Sequence, residues 1–169
     1  ESVPMHRLSL AISLLLLAGC QATPQSPRQD APAKPAATTA TPAFAFDEAD
    51  IAALQAKMAD SSLSSRTLTQ AYLDRIAAIN KAGPTLNAVI EINPDALKEA
   101  ALRDVERKTN SVRGPLHGIP ILLKDNIGAT PMVNSAGSLA LKDLRPSNDA
   151  FLVRRLREAG AVIVGKTSL

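Results

Sequence analysis

Aromatic residues are almost absent from this chain: 2% of its 169 residues, three Phe and one Tyr, with no Trp. A core built from it must be aliphatic and alanine-rich. Cysteine is nearly missing too. With Cys20 alone, no disulfide can close within the sequence. One cysteine and two distant histidines, His6 and His117, cannot furnish a zinc site of the usual kind. We therefore expect no metal and no cofactor. No basic block is interleaved with aromatics, so the net charge of +3 gives nucleic-acid binding little support. What the chain does have is 46% hydrophobic residues, enough for the core of one modest domain.

The N-terminal region is unlike the rest. Met5-His6-Arg7 is a short positive start, and Leu8 to Leu17 is apolar except for Ser9 and Ser13. That run is too short to span a bilayer as a helix, and it reads as a secretory signal. It closes in Leu17-Ala18-Gly19-Cys20, which resembles the lipobox of bacterial lipoproteins. The resemblance implies that Cys20 is lipidated and becomes the mature N-terminus. Its acyl chains would then hold the protein to a membrane. Gln21 follows, with no Asp to retain it at the inner membrane, so the periplasmic side of the outer membrane is the expected location. Residues 1–4 precede Met5 and fit no part of a signal. Residues 21–46 are rich in Pro, Ala, Thr and Gln and read as an extended linker.

From 47 to 169 the pattern is that of a folded body, with helical and strand periodicities in alternation. Ile51, Leu54 and Met58 share a helical face. Ser64 or Ser65 is a suitable N-cap for a second helix with the stripe Leu68, Tyr72, Ile76 and Ile79, ended by Gly83-Pro84. Leu86 to Ile92 reads as a strand. Asp95 to Lys108 reads as a helix whose paired charges form a solvated face. Ser147 or Asn148 is expected to cap a further helix with Phe151, Leu152 and Leu156 inside and Gly160 as its stop. Ala161 to Val164 is a buried strand. Such alternation predicts an α/β fold.

The informative stretch is Gly114-Pro-Leu-His-Gly-Ile-Pro-Ile-Leu-Leu-Lys-Asp-Asn126. The run Ile121-Leu122-Leu123 predicts a short interior strand covered on both faces. Lys124 would then emerge from a hydrophobic wall, where lost hydration disfavours its charged form. A lysine in that setting can serve as a general base. The stretch resembles the G-x-P-x-x-[IV]-K-D segment of amidase signature hydrolases. The likeness continues into Ser135-Ala-Gly-Ser138 and into Asp149 to Thr167, in the family's order.

That resemblance implies a mixed β-sheet covered by helices on both faces, of which only the N-terminal part is present. It implies hydrolysis of small-molecule or peptide amides to acid and ammonia or amine, through a Ser-Ser-Lys relay. In the relay a neutral lysine accepts a proton from a bridging serine, which activates a nucleophilic serine. By position, Lys124 is the catalytic base. Asp125 and Asn126 orient the turn behind it, and Ser138 is a candidate for lining the substrate site.

The family's Gly/Ser-rich segment, which carries both serines, is missing. Ser135 and Ser138 do not occupy the nucleophile's position, and no G-x-S-x-G elbow exists. The 169 residues are therefore expected to be an inactive N-terminal fragment of an exported amidase. Two alternatives are a non-catalytic truncated lipoprotein and the ammonia-supplying subunit of a tRNA amidotransferase. Gly160 to Thr167 also matches the phosphate-loop expression G-x-x-x-x-G-K-[ST]. Ala-Val-Ile-Val favours extended backbone, and a helix precedes the motif instead of following it. Nucleotide binding is rejected on those grounds, and Lys166 is expected to be a structural lysine near a strand end.

Overall fold

Strand β3 (Val162–Thr167) is the axis on which the body is assembled. It pairs in parallel with β2 (Pro120–Lys124) and antiparallel with β1 (Val89–Ile92), giving the order β1-β3-β2. The sheet is therefore mixed. The computed structural model describes residues 43–169. The expected signal 1–20 with Cys20, and residues 21–42 of the expected linker, lie outside the described residues. No helix among the described residues is long and apolar enough to cross a membrane.

Helices lie on both faces of the sheet. Helices α2 (Ser65–Ile79) and α3 (Ala96–Lys108) cover one side, where Leu73, Ile76 and Ala100 pack on Val162 and Val164. Helix α4 (Phe151–Glu158) and the segment after β2 cover the other. There Val153, Leu156, Ala129 and Met132 meet Leu123 and Ile163. A third cluster joins α1 (Ile51–Ala59) to α2 through Leu54, Met58, Leu63, Leu68 and Ile119. Phe44 and Phe46 pack ring against ring with each other and with Tyr72 of α2.

Local chemistry fixes the element ends. Ser64 caps α2 by accepting the Thr67 amide N–H at 2.9 Å, as its position suggests. The Asp104 carboxylate of α3 accepts the Ser65 and Arg66 amides at 2.7 and 3.0 Å, a negative charge where the helix dipole favours one. Gly160 follows α4 at φ +85, and a β-carbon there would lie 2.6 Å from His117 Nδ1. Only glycine fits that stop.

Several expectations need correction. Helix α2 ends at Ile79, before Gly83-Pro84, because Asn80 turns away to hold Val89 through both its N–H and its C=O. Strand β1 begins only at Val89, and Leu86 is exposed. Ile51 is exposed, leaving Leu54 and Met58 as the inner face of α1. Neither Ser147 nor Asn148 caps α4. Ala150 occupies that position, and Asp149 instead accepts the Thr130 amide at 2.7 Å. Phe151 and Leu152 are exposed, and Val153 is the buried residue. The charges of α3 are not a solvated face either. Arg107 reaches Gln55 and the His117 carbonyl, and Glu99 pairs with Arg157 at 2.6 Å.

His117 is a structural histidine. Its Nε2–H donates to the Arg103 carbonyl at 2.9 Å, and Nδ1 accepts the Arg113 amide at 3.3 Å, an arrangement that uses the neutral ring. Burial lowers its pKa from 6.5. The Arg103 carbonyl opposes that shift, Arg107 adds to it, and Glu106 opposes it. The unfolded chain thus takes up a proton that the native state resists. Stability is fully present above about pH 6.5 and is lost as pH falls below that value. Urea midpoints at pH 8 and pH 5.5 should differ in that direction, and His117→Gln should reduce the difference.

Candidate active site

The site is built where β2 and β3 end side by side. Leu123 pairs with Lys166, and Lys124 with Thr167. Lys124 is exposed at the end of β2, and β2 is an edge strand whose Leu122 is 40% exposed. The expectation of an interior strand and a lysine in a hydrophobic wall is corrected here. A continuous aliphatic run needs a neighbour on each side to be buried, and β2 has one only among the described residues.

The buried lysine is Lys166, 0% exposed, as Asp125 is at 1%. Lys166 Nζ lies 3.3 Å from Asp125 Oδ1 and donates to the Val133 carbonyl at 3.2 Å and to Asn134 Oδ1 at 3.4 Å. Asp125 Oδ2 accepts the Ser135 hydroxyl. Asp125 is therefore held inside the fold, whereas Asn126 beside it is exposed. Lys166 is structural, as its place near a strand end suggests, but it sits far deeper than that place implies.

A kink in the strand explains how Lys166 gets there. In an unbroken strand it would share a face with Val162 and Val164, under α2 and α3. Instead Ile121 pairs with Ile163 while Leu122 pairs with Gly165, leaving Val164 as an extra residue. This bulge turns Lys166 to the side of Leu123 and Ile163. Gly165 permits it: a β-carbon there would lie 2.3 Å from the Glu91 carbonyl oxygen of β1. The only sequence signal is a glycine inside a strand pattern. Residues 162–167 are strand, so the phosphate-loop match does not curl into an anion cradle.

Asp125, Ser135 and Ser138 line an open cleft of about 470 Å³ with Glu91 and Lys142. Glu91 Oε2 accepts the Val133 amide at 2.7 Å, which fixes the loop to β1. Ser138 thus lies at a cleft wall. Lys124 closes the strand that leads into that cleft but does not line it.

Residues 67–169 match the sequence profile of the family described as Amidase. The chain belongs to that family. The amidase-family assignment extends to solved structures. A peptide amidase from Stenotrophomonas maltophilia is 65% identical, with a TM-score of 0.74, over 75% of this chain and 26% of that one. A probable amidase of Arabidopsis thaliana is 46% identical over 129 residues, 75% of this chain and 25% of its own length. A glutamyl-tRNA(Gln) amidotransferase subunit from Lawsonia intracellularis is 45% identical over 103 residues, 60% of this chain and 20% of its own. The chain spans about a quarter of the length of these amidases.

Proposed function

We propose that this chain is the N-terminal part of an amidase that hydrolyses carboxylic or peptide amides to an acid and ammonia or an amine. The 65% identity to a peptide amidase over three quarters of the chain carries this reading. Lys124 accepts a proton from a bridging serine, which in turn deprotonates the nucleophilic serine. That oxygen attacks the amide carbon. The C–N bond breaks as nitrogen takes the proton, leaving an acyl-enzyme. Water then attacks the ester, releases the acid and restores the serine.

Both serines belong to a Gly/Ser-rich segment that these 169 residues do not contain. Lys124 is exposed, and β2 is the last strand of the sheet among the described residues. A longer chain that lays another strand on β2 would strip water from Lys124 and favour its neutral form.

Ammonia release from a C-terminally amidated dipeptide tests the reading. The full-length gene product should turn it over, and the 169 residues alone should not. An inert full-length product, or turnover by the short chain, contradicts the proposal. The amidotransferase relatives support a second reading, an ammonia-supplying subunit, at lower identity. Export distinguishes the two. On the lipoprotein reading Cys20 anchors the protein, so Cys20→Ala should move it from the membrane fraction to the soluble one. An unchanged distribution sinks the anchor.

A further inference from the structure

We propose that Lys166 and Asp125 are positioning residues for the chemistry of Lys124, and that the bulge in β3 delivers Lys166 to that task. This rests on the reading of Lys124 as proton acceptor.

A charge pair taken out of water gains nothing over well-packed apolar side chains unless its hydrogen bonds are complete. This one is complete. The Lys166 amine meets acceptors on Asp125, Val133 and Asn134, at 3.2 to 3.4 Å. The second oxygen of Asp125 holds Ser135. All these partners lie either directly after Lys124 or in the loop that leads to Ser138.

Apolar side chains could fill the space but could not fix direction. Hydrogen bonds are directional, so this network sets the path of the backbone on either side of Lys124. The main chain agrees. The Asp125 amide donates to the Thr167 carbonyl at 3.0 Å, and Thr167 Oγ1 donates to the Leu123 carbonyl at 3.3 Å. Lys124 thus projects from a backbone pinned before and after it by the strand that carries Lys166. The charged groups that share the cleft with Asp125 are Glu91 on β1, whose Oε1 lies 3.9 Å from Arg145, and Lys142.

The test compares Lys166→Met, Lys166→Arg, Asp125→Asn and Lys124→Met in the full-length gene product. Each is assayed on an amidated dipeptide across pH, with rates expressed per folded molecule. Lys166→Met and Asp125→Asn should each lower kcat by about 10-fold or more with KM little changed, as loss of alignment does. The acidic limb of the rate profile should move in opposite directions. It rises in Lys166→Met, where Asp125 is left as a lone anion beside Lys124, and falls in Asp125→Asn, where Lys166 is left as a lone cation. Lys166→Arg should restore part of the rate.

Wild-type kcat per folded molecule, or limbs that stay in place, overturns the inference. If Lys166→Met does not fold, Asp125→Asn decides the outcome, because it keeps the shape and can still accept from Lys166. Full activity in Lys124→Met removes the reading of Lys124, and this inference with it. An inactive Lys124→Met beside wild-type behaviour at 125 and 166 overturns this inference alone.

Discussion

Replacing Lys124 with methionine in the full-length gene product should lower kcat/KM for an amide substrate by about 10³-fold, the scale of a lost general base. Stability should barely change. Among the described residues no ion pair is formed at the Lys124 amine, and where a longer chain covers it the neutral amine leaves no buried charge behind when methionine replaces it. Methionine keeps the length of the chain and its contact with the sheet, and loses only the amine. Urea unfolding of wild type and variant should therefore coincide while the rates separate. A variant that loses both together would point to a structural lysine, and one that keeps its rate would remove Lys124 from the chemistry.

The opposite pairing of effects is expected at Lys166. Lys166→Met leaves Asp125 buried without its cation, at 1% exposure. Breaking a buried pair from one side costs about 3–5 kcal/mol, because the remaining charge is uncompensated. That is a large share of a domain's total stability, about 5–15 kcal/mol. The urea midpoint should fall sharply. Replacing both partners, Lys166→Met with Asp125→Leu, should recover part of the loss, since no charge is left behind. A single variant as stable as wild type would mean that water reaches this pair freely. The two lysines thus separate by readout: one carries rate and little stability, the other carries stability and, on the inference above, alignment.

How much of the fold and site is legible in the sequence differs from element to element. The stretch from Gly114 to Asn126 is informative because its residues are unusual together, and the family it suggests is the one the chain belongs to. The Ser64 cap and the strand after Gly160 follow from short-range rules, and both are present. Long-range features are not legible. Period-two reasoning puts Lys166 beside Val164, and only the pairing with β2 reveals the extra residue that turns it around.

The charges of α3 look solvated in sequence because spacing along one helix cannot show that Arg157 of another element will meet Glu99. Residue type places Phe151 and Leu152 inside beside Leu156, although Val153 fits the same period with Leu156 equally well. For β2, a continuous aliphatic run correctly predicts a strand. It cannot supply the second neighbour that would bury that strand.

The measurement closest to the central claim is intact-mass spectrometry of the full-length gene product, quenched during turnover of an amide substrate. Wild type should carry a mass increment equal to the acyl group of the substrate, from the serine ester that Lys124 helps to form. Lys124→Met should show none on the same timescale. An acyl increment that accumulates equally fast without the lysine amine would contradict the account.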